Sequence, residues 1–299
     1  MITILIITFV ARGIHDIFEE MTTSMAKGPM PQGGRVLFHY SSIAVLNDDT
    51  IITAPAGRNV WRANGNGGWD NCAEGLPKNV HVNRLQRYSD FLFACTDRGL
   101  YRLSDDQGWI LEEMPINCYQ YKETGGLAFA ATEHGLWCRT SRGWKNTAFS
   151  GNAIYDFLYT PSYVYLAMDW GIAMYDRLTC SWEQFALRSR IVSLGSANGR
   201  LLGVTENGEL IAGNGRGGFE KIRFDGMFIF KIIQAQKSVY LCTDRGLYRL
   251  NELRRQWLVV SVSLGSPVTD VAVQGPNLYA ATLSEGVQTI ELGREIGES

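Results

Sequence analysis

The chain has 299 residues, with 28 Lys and Arg against 30 Asp and Glu, a formal charge of -2. That balance lacks the basic footprint of a dedicated nucleic-acid binder, and an apolar fraction of 45% excludes wholesale disorder. Length alone leaves one large domain or two ordinary ones open.

The chain opens with MITILIITFVARG. The apolar stretch at residues 2–10 is too short to span a bilayer. It has no basic segment before it and no good cleavage site after it, so it reads poorly as a secretion signal. A degenerate signal or interfacial anchor is the alternative, which would make the protein secreted or membrane-associated. Residues 14–25 (IHDIFEEMTTSM) pattern as a short amphipathic helix, and residues 27–34 (KGPMPQGG) as a Gly/Pro linker. Residues 1–34 are therefore expected to be a leader and linker, helical or disordered, ahead of a single folded domain at 35–292. Residues 293–299 form a polar tail. The six cysteines, Cys72, Cys95, Cys118, Cys138, Cys180 and Cys242, form no CxxC and no Cys/His cluster at zinc spacing. Reduced structural thiols in a cytoplasmic protein are the expectation, with no metal and no cofactor.

From residue 35 onward the chain repeats itself. TDRGLYR occurs at 96–102 and again at 243–249. Weaker copies are AGRNVWR at 56–62, TEHGLWCR at 132–139, MDWGIAMY at 168–175, TENGELI at 205–211 and TLSEGVQTI at 282–290. One position anchors all seven: Asn59, Gly99, Gly135, Gly171, Gly208, Gly246 and Gly286, in steps of 36 to 40 residues. A tight turn with positive φ wants Gly, and Asn is the best substitute. An apolar strand precedes each anchor. An aromatic follows it in six units: Trp69, Trp109, Trp144, Trp182, Phe219 and Trp257. Strand-rich units of this period cannot bury both faces alone, and packing them radially does so. The expected fold is all-β, a seven-bladed β-propeller of four-stranded antiparallel blades. Each aromatic should begin an outermost strand and pack between blades. The seventh unit ends one strand short, and RVLFHY at residues 35–40 is expected to complete it, pairing antiparallel with residues 286–292 to close the ring. Asn214-Gly215-Arg216-Gly217-Gly218 is expected to be a hairpin turn rather than a phosphate loop.

These residues resemble the Asp-box (BNR-repeat) and two-component-regulator propellers, which share an apolar strand, T-x-x-G-[LV]-[YFW]-R, a polar turn and an aromatic. Ser104-Asp105-Asp106-Gln107-Gly108-Trp109 is the nearest match to the Asp-box turn. In those families the box stabilises a hairpin and specifies no reaction. The Asp-box likeness also implies glycosidases, sialidases among them, as possible relatives. Such a site needs an Arg trio on a carboxylate, and Arg58, Arg98 and Arg245 are the candidates; Glu133 and Asp169 are the available carboxyls. The family's Phe/Tyr-Arg-Ile/Leu-Pro motif is absent.

The residue before each anchor lies in the loop between the second and third strands, on one face of the ring. Around the ring these are Arg58, Arg98, His134, Trp170, Asn207, Arg245 and Glu285. Arg forks suit carboxylates and phosphates, and Trp170 offers a ring for stacking. The residue one further back is acidic in five units: Asp97, Glu133, Asp169, Glu206 and Asp244. Such a recurring acid either belongs to the recognition surface or neutralises its neighbour within each turn. The expected function is a non-catalytic binding propeller recognising a protein or glycan partner on this face, without nucleic acid and without transmembrane insertion. A sialidase-like glycoside hydrolase at the channel mouth is one alternative, and a ligand-sensing module is another.

Overall fold

A computed structural model describes residues 41–292 other than 125 and 255. Seven antiparallel sheets follow one another along the chain, at residues 42–71, 82–111, 118–148, 154–186, 191–222, 229–264 and 268–291. Within each sheet the strands pair in sequence order, and six sheets have four strands. Among the described residues the one helical element is a 3-10 turn at Pro55–Gly57.

The first strand of each sheet is innermost. It lies beside the first strand of the next sheet, and the last of them, Val268–Gln274, lies against Ser42–Val45. The ring is thus closed between blades 7 and 1. Ser42 Oγ donates to Asp270 at 2.6 Å, Thr269 Oγ1 to the Ser41 carbonyl at 2.8 Å, and Ser41 Oγ to the Thr282 carbonyl at 3.0 Å.

Alternation along each strand sends one side chain to the preceding blade and the next to the following one. The core is accordingly divided into seven apolar clusters, one at each seam. The repeat aromatics work as the sequence suggests. Trp109 opens the fourth strand of blade 2, is 3% exposed, and donates its Nε1 to the Cys72 carbonyl of blade 1 at 2.7 Å. Trp144 reaches back to the Glu112 carbonyl of blade 2 in the same way, also at 2.7 Å. Trp69 differs, being 41% exposed, because the blade behind it has three described strands, Val268–Gln274, Asn277–Thr282 and Val287–Glu291. The expected fourth strand, residues 35–40, lies outside the described residues.

All seven anchors take positive φ, from 55° at Asn59 to 145° at Gly171. At Gly246, with φ 135°, a Cβ would also press into the Ser263 carbonyl of the neighbouring strand. Gly246→Ala should therefore lower stability by roughly 1–3 kcal/mol, readable as a fall in the urea midpoint. An unchanged midpoint would mean that neither the turn nor the close approach needs glycine. Asn214 confirms its hairpin, its Oδ1 accepting the amides of Arg216 and Gly218 at 2.9 and 3.1 Å. The Asp-box expectation does not fare so well. Among the described residues Asp105 and Asp106 make no hydrogen bond across their turn, while Asn64 and Thr140 clamp the corresponding turns of blades 1 and 3.

Candidate functional site

The turn before each anchor is held by the threonine of T-x-x-G. Thr96 Oγ1 donates to the Gly99 carbonyl at 2.7 Å and accepts the Arg98 amide at 3.1 Å. The same pair of bonds recurs at Thr132, Thr243 and Thr282. A side chain clamped at both of its backbone neighbours has nowhere to go but outward. Arg58, Arg98, His134, Asn207, Arg245 and Glu285 are all exposed on the face where second and third strands join. No hydrogen bond or ion pair links any two of them among the described residues, so the fold places them on one face without assembling them into a cluster.

The recurring acids have a structural job. The Asp97 carboxylate accepts the His81 amide at 2.8 Å, and the Asp244 carboxylate accepts the Phe228 amide at 2.9 Å. The backbone amides of Asp97, Glu133, Glu206 and Asp244 donate in turn to the carbonyls of His81, Asn117, Arg190 and Phe228 at 2.9–3.0 Å. Each acid therefore stitches its loop to the connector arriving from the previous blade. The expected Asp97–Arg98 compensation is present as a contact of 3.7 Å. Asp169 departs from the pattern. It accepts the Tyr155 hydroxyl and Arg190 Nε, both at 2.7 Å, and Arg190 also reaches Glu206 at 3.1 Å. Burial, followed by the bond to Asp169, pushes the Tyr155 hydroxyl well above the usual tyrosine range.

Trp170 is less available than a stacking platform should be. It is half-buried, packs against Phe149 with ring centres 6.4 Å apart, and belongs to the seam between blades 3 and 4. Its Nε1 is buried and has no partner among the described residues.

Sequence reasoning missed the centre of the ring. Five first strands carry a β-bulge at their second residue, and a register shift falls at the same place in blade 3. The residue after it recurs as Arg84, Gln120, Asp156, Ser193, Lys231 and Asp270, with Ser42 equivalent in blade 1. The inner edge of an innermost strand has amides with no further strand to bond. These side chains supply the acceptors. Ser42 Oγ accepts the Leu85 amide at 2.9 Å, Asp156 the Leu194 amide at 2.9 Å, Ser193 the Ile232 amide at 3.1 Å, and Asp270 the Ile43 amide at 3.3 Å. Arg84 and Lys231 offer no acceptor, and Gln120 Oε1 has no partner among the described residues, so other groups take their place: Gln86 Oε1 accepts the Tyr121 amide at 2.9 Å. Asp156 accepts the amide of Phe157 at 2.8 Å, and Asp270 that of Val271 at 3.0 Å.

Above and below this belt the channel is unequal. Toward the second-to-third loops it narrows to about 30 Å³, walled by Asn83, Tyr119, Val192 and Phe230 among others. Toward the opposite face it widens into a cavity of about 570 Å³, lined by the later residues of the first strands. Arg84, Lys122 and Lys231 face this cavity together with Asp156 and Asp270. Burial, with added repulsion from Arg84, lowers both lysine pKa values despite the pull of Asp156 on Lys122 and of Asp270 on Lys231. Burial acts the other way on Asp156, but Lys122, Arg84 and the amides of Leu194 and Phe157 outweigh it and hold the carboxyl below its usual range. Among the described residues no group of His, Cys, Asp and Glu has the arrangement of a metal site, and no helix is long and apolar enough to cross a membrane. All six cysteines are free.

No known family profile matches the sequence, and no curated protein does. Solved structures do match in shape. Virginiamycin B lyase from Staphylococcus aureus superposes with a TM-score of 0.65 at 11% identity, over 85% of this chain and 95% of that one. The extracellular domain of a putative hybrid two-component system from B. thetaiotaomicron gives 0.66 at 14% identity, over 88% of this chain and 39% of that one. A chain of the mitotic checkpoint complex gives 0.64 at 12% identity, covering 89% of this chain and 95% of the other. At such identities the likeness is one of fold: the chain is similar to seven-bladed propellers that include a lyase and the extracellular domain of a two-component regulator.

Proposed function

We propose that this chain is a non-catalytic binding propeller that recognises a protein or glycan partner on the face carrying Arg58, Arg98, His134, Asn207, Arg245 and Glu285, with Trp170 at its margin. One observation carries the reading. On that face the channel mouth has only about 30 Å³ of space and is walled by Tyr119 and Phe230, with the Tyr155 ring packed at a tilt against Tyr119, centres 5.0 Å apart. A hydrolase needs a pocket that holds a sugar between two carboxyls ~5–9.5 Å apart. A shallow, aromatic surface ringed by exposed charged side chains suits recognition instead. The sensor and lyase among the structural neighbours are compatible with binding as the common use of the fold. We further propose a cytoplasmic location, where cysteines such as these stay reduced.

An affinity pull-down run beside a glycan array tests this with the wild-type chain and the Arg98→Glu/Arg245→Glu double variant. Both arginines are exposed, so the double variant should unfold within ~1 kcal/mol of wild type. At least one ligand retained by the wild type should be lost by the variant, by tenfold or more in affinity, about 1.4 kcal/mol. Every interaction surviving the double charge reversal would place recognition elsewhere.

A further inference from the structure

We infer that the wide end of the central channel is a binding site for a small organic anion, whose carboxylate or phosphoryl oxygens are taken by Arg84 and Lys122 with Lys231 alongside. The site is on the opposite side of the belt from the recognition face and is independent of it.

Charge and hydrogen-bond counting lead to this. Four cations and three carboxylates line the cavity; with Arg87 and Glu123 at the rim, Arg84, Lys122 and Lys231 share its floor with Asp156 and Asp270. Lys231 and Asp270 are a tight pair at 2.6 Å. Asp156 must serve both Arg84, at 3.8 Å, and Lys122, at 3.6 Å. Neither contact is a good hydrogen bond, because the Asp156 oxygens already accept the amides of Leu194 and Phe157 and Gln120 Nε2. Among the described residues the Arg84 side chain makes no hydrogen bond, although it is only 12% exposed. Lys122 makes one, to the Phe157 carbonyl. A guanidinium with five donors and an ammonium with three are thus left largely unfilled at the floor of a cavity, with one positive charge in excess. Buried charges are costly unless paired and bonded, and a planar guanidinium is built for the forked oxygens of carboxylate or phosphate.

The surroundings define the rest of the ligand. The cavity is nearly closed on the loop side and open on the other, so it is a blind pocket of about 570 Å³, within the range of small-molecule sites. Its walls carry Leu85, Leu158, Ile232 and Val271 near the cations, with Tyr88 and Tyr159 nearer the rim. An apolar or aromatic body with one anionic end matches that gradient. The rim charges do not compete for the ligand. Arg87 donates to the Val45 carbonyl and to Gln274 at 3.0 and 3.2 Å, and Glu123 accepts the Tyr121 hydroxyl at 2.6 Å.

Titration calorimetry on the full chain with benzoate, citrate, inorganic phosphate and phenyl phosphate tests the site and separates carboxylate from phosphoryl recognition. At least one probe should bind at one per chain, the aromatic members of each pair more tightly than their inorganic or apolar-poor counterparts. Arg84→Gln and Lys122→Met should each weaken it at least tenfold, and Arg98→Glu on the other face should leave it unchanged. Should the channel variants fold poorly, the wild type still decides the matter: the bound probe should shield Lys122 from reductive methylation, read by peptide mass spectrometry, while exposed Lys237 reacts freely. No saturable binding of any of the four probes up to about 10 mM, or binding that neither channel variant weakens and that leaves Lys122 unshielded, would overturn the assignment. The recognition face stands or falls separately, on the Arg98→Glu/Arg245→Glu variant.

Discussion

Asp156→Ala is expected to lower the stability of this protein by about 3–5 kcal/mol, the cost of breaking a buried ion pair from one side. The carboxylate is 3% exposed and lies between two cations. Its removal would leave Arg84 and Lys122 facing each other without a counter-charge, and the amides of Leu194 and Phe157 without an acceptor. Both amides belong to the inner edges of their blades, so the loss is felt on two sides of the ring. Urea unfolding measures it, and adding Lys122→Met should restore part of the loss, a non-additivity that marks direct coupling. The pH dependence follows from the same contacts. The folded-state pKa of Asp156 is depressed, so its contribution is fully present above the unfolded value of ~3.9 and disappears as pH falls through the folded one. The lysines behave oppositely in consequence. Their folded pKa values are also depressed, which for a base means that holding the proton costs stability. That cost is present at neutral pH and is relieved as pH rises through the folded pKa toward the unfolded value. Wild type should therefore lose stability on the acid side and gain slightly on the alkaline side, and Asp156→Asn should flatten the acid limb. An Asp156→Ala chain with an unchanged urea midpoint would show that the belt carries no net energy.

Beginning the chain at Ser41 is expected to lower the thermal midpoint by at least ~5 °C, since about 1 kcal/mol corresponds to ~2–4 °C at this size. The reason is visible at the seam between blades 7 and 1. Val287–Glu291 pairs with Asn277–Thr282 on one side and with no described strand on the other. Trp69 is exposed on the blade 1 side, where a groove of about 320 Å³ runs between Pro55, Trp61, Trp69 and Val287. On the other flank Leu258 and Val260 are exposed, while Trp257 and Val259, the alternate residues of the same strand, pack toward blade 5. One further strand at this edge would account for all three features. RVLFHY at residues 35–40 is rich in β-branched, apolar and aromatic residues and ends at Tyr40, next to Ser41, so we propose it as that strand. Phe38→Asp should reproduce most of the truncation effect, and both variants should self-associate through the open edge, visible as a rise in hydrodynamic radius. A truncated chain that melts with the wild type and stays monomeric would refute the strand exchange.

How much of this was legible in the sequence depends on what repeats. The turns repeat because each solves the same backbone problem. The threonine clamp, the positive-φ anchor and the inter-blade Trp are needed in every blade, so their residues recur and announce the ring. Asn59 took its place among six glycines for the same physical reason. The paired acids were equally legible, and the structure settles their ambiguity: Asp97 and Asp244 bind connector amides. The channel belt stayed hidden because its members share a position and no chemistry. A signal did exist. Arg84, Gln120, Asp156, Ser193 and Lys231 each precede their anchor glycine by 15 residues, a polar residue at a constant distance from the turn. What one blade lacks as an acceptor, the next supplies, and that exchange is invisible until the blades are neighbours. Trp170 is half-buried for a related reason. A residue that departs from a repeat is as free to fill a seam as to meet a ligand, and Phe149 was the neighbour that decided it.

Amide hydrogen exchange of the full chain, free and saturated with whichever protein or glycan the wild type retains, tests the central claim most directly. Recognition on the proposed face predicts slowed exchange at the turns holding Arg98, His134 and Arg245, with the hairpins between first and second strands unaffected. Protection confined to those opposite hairpins, with the turns unchanged, would contradict it.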